Sequence, residues 1–98
     1  MAAYMIVDVE VLDAAAYEEY RLQTAATVAV YGGRFLARGG RTEVLEGEWT
    51  PKRLVVIEFE SVERAKEWLD SPEYTAIKGI RHRTAKSNMI VVEGVPPA

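Results

Sequence analysis

Arg38 and Glu58 raise the first chemical question, because each puts a charge inside a run that otherwise favours burial. Arg34-Phe35-Leu36-Ala37-Arg38 runs into Gly39-Gly40, and Arg53-Leu54-Val55-Val56-Ile57-Glu58-Phe59 follows a polar stretch. A guanidinium forks two donors toward a carboxylate, of the protein or of a ligand. If the two runs pair antiparallel, Arg38 and Glu58 point at the same open sheet face, beside Asp8. One reading is an anion-anchoring arginine with an acid placed for proton transfer. The other is an ion pair that satisfies itself near a subunit interface. The spacing leaves both standing.

Other residue types narrow the chemistry. His82 is the sole histidine and cysteine is absent, so zinc would need carboxylates around it, and no HExxH spacing exists. Arg81 and Arg83 flank His82, which places it on a solvated helix face. Haem would need His82 or a tyrosine as axial ligand, so no cofactor is expected. The glycine pairs at 32–33 and 39–40 form neither a GxGxxG nor a P-loop pattern. No Ser–His–acid order can be built from one histidine. Tyr17, Tyr20 and Trp68 recur at helical spacing and read as core. Trp49 sits on a connection and must dock on something, and Tyr74 opens a helix; both are candidates for a pocket mouth.

Composition sets the frame. Twelve Lys and Arg against fifteen Asp and Glu give a net charge of −3, which offers no basic field for a phosphate backbone. At 49% hydrophobic and 28% charged the chain is ordinary for a folded domain, and 98 residues are expected to form one domain over 1–98. No apolar run nears the length of a membrane span, and no signal peptide is visible at the N-terminus; a cytoplasmic protein is the expectation.

The elements that must position these side chains follow in order. Tyr4 to Val11 alternates, with Met5, Val7, Val9 and Val11 on one face and Tyr4, Ile6, Asp8 and Glu10 on the other. Asp13 caps a helix over Ala14 to Tyr31, which Gly32-Gly33 stops. The second strand begins at Arg34. Gly39-Gly40 suggests a bulge or bend, after which Thr42 to Leu45 extends the strand, and Glu46 to Lys52 forms the loop. Arg53 to Phe59 is the third strand. Ser61 and Ser71-Pro72-Glu73 start helices over Val62 to Leu69 and on to about Thr84. Asn88 to Glu93 is the last strand, and Gly94 to Pro97 a tail.

Strand, helix, strand, strand, helix, strand is the ferredoxin-like βαββαβ pattern: an α+β antiparallel sheet with its helices on one face. The other face would leave Tyr4, Ile6, Leu36, Val56 and Ile90 wet. A second copy packed sheet to sheet is the expected cover, so a homodimer follows.

The chain resembles a small bacterial family, domain of unknown function 1330, within the dimeric α+β barrel superfamily. The likeness rests on Ala3-Tyr4, Asp13 with Tyr17 and Tyr20, Tyr31-Gly32-Gly33-Arg34-Phe35, Arg38-Gly39-Gly40 and Glu46-Gly47-Glu48-Trp49. It continues through Val56-Ile57-Glu58-Phe59, Ala65-Lys66-Glu67-Trp68 and Asp70-Ser71-Pro72-Glu73-Tyr74. It implies a dimer whose two sheets enclose a barrel-like interior. Arg81 falls where that family's second helix tends to carry arginine, which adds it to Asp8, Trp49 and Tyr74 as a ligand-binding candidate. Similar superfamily members include cofactor-independent monooxygenases, lactone isomerases and haem-linked enzymes. The expectation is thus a small anionic or aromatic ligand between sheet and helices, with Arg38 and Glu58 at the polar end. The competing expectation is a non-catalytic binding or assembly module.

Overall fold

The computed structural model describes residues 1–96; Pro97, the end of the expected tail, lies outside the described residues. The elements run β1 (Ala3–Val11), α1 (Ala14–Val30), β2 (Arg34–Arg38), β3 (Leu54–Phe59), α2 (Val62–Leu69), α3 (Pro72–Thr84) and β4 (Ala85–Glu93). The sheet has the order β2-β3-β1-β4, every neighbouring pair antiparallel. It is a ferredoxin-like α+β fold.

Local chemistry explains each boundary. Asp13 Oδ1 accepts from Ala16 N at 3.1 Å and satisfies one orphan donor at the start of α1. At its other end Gly32 takes φ +73°, Gly32 N donates to Ala29 O and Gly33 N to Val28 O. That paired arrangement is a Schellman motif, which needs the left-handed residue a glycine supplies. Ser61 and Ser71 cap α2 and α3 through Arg64 N and Tyr74 N, and Pro72 occupies the first turn of α3.

Alternation along the strands divides the sheet. Met5, Val7, Val9, Val55, Ile57 and Phe59 are buried under the helices and meet Tyr17, Tyr20, Val28, Trp68, Tyr74 and Ile77. Trp68 is the centre of this packing. Its ring lies 4.1 Å from Tyr74 and 5.6 Å from Phe59, and its Nε1 donates to Thr27 Oγ1 at 3.1 Å. The other face of the sheet carries no helix, and there Ile90 and Val92 are exposed.

Three features differ from the sequence expectation by more than a single end residue. The bulge lies not at the glycine pair but between Phe35 and Ala37, so Leu36 is an extra residue in β2. Thr42 to Leu45 does not extend the strand: residues 41–50 form an exposed connection without regular structure. β4 starts at Ala85, three residues before Asn88, because the β1 ladder continues down to Val11↔Ala85.

Candidate functional site

The bulge decides which charges meet. Arg34 opposes Glu58, Phe35 opposes Ile57, and after the extra Leu36, Ala37 opposes Val56 and Arg38 opposes Val55. A one-residue shift moves every later side chain to the other face. Arg38 therefore joins buried Val55 under the helices, while Glu58 stays on the open face, and the expected Arg38–Glu58 pair does not form. Glu58 instead accepts from Arg34 Nε at 2.7 Å.

Asp8 and Trp49 also sit on the open face. Trp49 Nε1 donates to Asp8 Oδ2 and Lys52 N to Asp8 Oδ1, both at 2.9 Å. Trp49 is tied to β1 through its hydrogen bond, which holds the 39–53 connection as a strap, but the residue stays 62% exposed. Its hydrogen bond is the leading cause of the lowered Asp8 pKa, with the Lys52 amide next. Asp8, Trp49 and Glu58 are thus separated by the sheet from the space between sheet and helices.

That space is a cleft bordered by apolar side chains of β1 and β3, by Tyr17, Tyr20, Phe35 and Trp68, and by Arg21, Arg38, Arg53 and Arg81. No Asp or Glu lines it. Arg21 is compensated by Glu18, but among the described residues Arg38, Arg53 and Arg81 form no salt bridge. Arg38 Nη2 donates to the Arg21 carbonyl at 2.6 Å, and its guanidinium stacks 4.2 Å from the Phe35 ring centroid. Burial lowers the Arg38 pKa, and the charges of Arg53 and Arg21 lower it further. Arginine stays charged under such pressure, so the cluster keeps an uncompensated positive potential.

Arg81 is only 7% exposed and is held by neutral partners alone. Its Nε donates to Tyr74 Oη at 3.1 Å, its Nη1 to Ser87 Oγ, and its Nη2 lies 3.2 Å from His82 Nε2. Tyr74 is fully buried and pairs with Tyr20 Oη at 2.7 Å. Its expected place at a pocket mouth is corrected: the first turn of α3 packs onto Trp68, so the ring belongs to the core. His82 is exposed, as expected, although the flanking Arg81 is buried; partial desolvation, then the charges of Arg81 and Lys78, lower its pKa.

Burial, more than any neighbouring charge, raises the pKa of Tyr17 and Tyr20, so both hydroxyls stay protonated in the cleft wall. Tyr20, Tyr17 and Arg53 escaped the sequence reading as site residues. Arg53 had a signal: it shares parity with Val55, Ile57 and Phe59 and so belongs to the covered face. The tyrosines had none, because core and cleft wall are the same surface here.

A ferredoxin-like domain with a cationic cleft under its helices is the class these features define. The chain belongs to the family described as Domain of unknown function (DUF1330), whose model matches residues 2–95. No curated protein is significantly similar. The crystal structure of RPA0582, a protein of unknown function from Rhodopseudomonas palustris, is similar with a TM-score of 0.77 at 20% identity, covering 98% of this chain and 84% of that one. SnoaB, a cofactor-independent oxygenase from Streptomyces nogalater, is similar with a TM-score of 0.66 at 15% identity, covering 98% and 95%. A dimeric protein of unknown function with a ferredoxin-like fold from Bacteroides fragilis has a TM-score of 0.56 at 14% identity, covering 95% and 96%. Likeness at such identities establishes the fold.

Proposed function

We propose that this chain binds a small anionic aromatic molecule in the cleft between sheet and helices, and that two copies pair through their open sheet faces. The observation that carries the binding reading is the charge imbalance: four arginines and no carboxylate line the cleft, and three of the four, Arg38, Arg53 and Arg81, form no salt bridge among the described residues. Uncompensated cations in a partly desolvated site are costly unless an anion joins them. The Tyr17, Phe35 and Trp68 rings supply apolar walls for a flat ligand.

The free volume is about 30 Å³, the share of roughly one water molecule. Entry therefore requires the partly exposed Arg38 and Arg53 side chains to swing aside. Once bound, an enolate or phenolate would be stabilised by the surrounding guanidinium charges, which favours cofactor-free chemistry on the anion. The cofactor-independent oxygenase of similar fold supports that reaction class. Of the residues singled out by sequence, Arg38 and Arg81 belong to this proposed site, whereas Glu58, Asp8 and Trp49 serve the open face.

Pairing of the open faces is supported by the apolar row that no helix covers, including Ile90 and Val92, and by the dimeric neighbour of similar fold. Arg38→Ala tests both parts at once. Calorimetry with a panel of aromatic carboxylates and phenolates should show saturable binding to the native protein, weakened at least tenfold in the variant. Sedimentation should show a dimer in both. Equal affinity in the two proteins would exclude the cleft as the binding site, and a monomer at micromolar concentration would exclude the pairing.

A further inference from the structure

Tyr20, Tyr74 and Arg81 form a buried chain of hydrogen bonds in which one direction of proton donation satisfies both Arg81 Nε and the Tyr74 hydroxyl. A guanidinium has donors only, so Arg81 Nε donates to Tyr74 Oη. Tyr74 is fully buried, and the acceptor available to its own proton among the described residues is Tyr20 Oη at 2.7 Å. If Tyr20 were the donor instead, the Tyr74 proton would be buried without an acceptor. That arrangement is disfavoured by roughly tenfold or more. Tyr20 lines the cleft and Tyr74 does not, so of the two residues Tyr20 is the one beside space a ligand could fill.

We infer that Tyr74 donates to Tyr20, and that Tyr20 in turn presents its proton to the cleft as a neutral donor to an anionic ligand oxygen. Arg81 and Tyr74 are positioning residues for that proton. Each Arg81 nitrogen is engaged by a neutral group, Tyr74, Ser87 or His82, so the cation is immobilised without being neutralised. Its charge polarises the Tyr74 hydroxyl, which strengthens the next bond in the row. Burial keeps the Tyr20 hydroxyl protonated well above the ordinary tyrosine range. The ligand this arrangement takes carries an anionic oxygen on unsaturated carbon: a phenolate, an enolate or a carboxylate. The inference rests on the reading of the cleft as an anion site and adds which neutral group meets the anion.

Two measurements separate the two ideas. Neutron diffraction from deuterated, ligand-free protein reads the donor direction directly. A deuteron bonded to Tyr74 Oη and lying toward Tyr20 is expected; one bonded to Tyr20 and lying toward Tyr74 overturns the inference whatever the cleft binds. The second measurement titrates para-nitrophenol, whose neutral and anionic forms absorb differently. Tyr20→Phe should weaken binding of the phenolate about tenfold and that of the neutral phenol much less. Unchanged or tighter phenolate binding in the variant overturns the donor role, because lone pairs facing an anion would make the hydroxyl a hindrance. Failure of the native protein to bind the phenolate would sink the anion-site reading and the ligand role of Tyr20 with it, leaving the neutron result to decide the direction alone.

Discussion

The two faces of the sheet treat charge in opposite ways. On the open face, Glu58 meets Arg34 and Asp8 meets Trp49 and the Lys52 amide, so both of these acids have a partner. On the covered face, Arg38, Arg53 and Arg81 gather under the helices with no acid among them. Evenly matched charges cost little and do little. Unmatched ones in a confined space retain a potential to act on something else. The proposed site rests on that contrast, and the same residue types on the two sides carry different meanings.

Mutations should separate the faces in proportion to what each supports. The largest effect falls on the covered side. Trp68→Ala removes the ring that joins Phe59, Tyr74 and Thr27 and should cost about 3–5 kcal/mol in denaturant unfolding. Gly33→Ala comes next, because a Cβ there would lie 2.7 Å from Phe59 Cε1 and 2.8 Å from Val28 Cγ1. Overpacking of this kind costs about 1–3 kcal/mol, and a smaller loss would show that the helix-to-strand turn can yield.

The open side should respond weakly. Asp8 has a lowered folded-state pKa, so the unfolded chain takes up the proton first as pH falls. Its contribution is present above the usual carboxylate range, about pH 4, and is lost as pH drops through the folded pKa. The indole N–H resonance of Trp49 should move over that window in native protein and already be shifted at neutral pH in Asp8→Ala. Glu58→Gln should be smallest, under about 1 kcal/mol by thermal unfolding, since Arg34 is largely exposed. A large loss from Glu58→Gln would break the comparison. Deleting Leu36 would sharpen it: the remaining residues pair in regular alternation, so Arg38 keeps its side and any ligand affinity should persist within about threefold.

Most of the architecture was legible because it depends on local signals. Period-two alternation in Tyr4 to Val11, the capping Asp13, the Gly32-Gly33 stop and Ser71-Pro72 each report short-range physics that tertiary contacts left intact. The site was less legible because it depends on register. Leu36 looks like any strand residue, and nothing in its type announces that it is extra, yet it sends Arg38 through the sheet. The glycine pair at 39–40 drew attention to the wrong position; Gly39 does take φ +73°, but as a bend after the strand has ended. Tyr74 was misplaced for another reason. A residue in the first turn of a helix is usually near solvent, and only the stacking of α3 on Trp68 closes over it.

The arginine cluster has a kinetic corollary. Seen from a distance the molecule is negative, and an approaching anion is repelled until it comes within a few ångströms of the guanidinium groups. Ions in solution shorten the reach of that repulsion more than they weaken the close attraction. For an anion entering this domain, moderate ionic strength should therefore speed capture relative to very dilute buffer, the reverse of what a uniformly attractive surface would show.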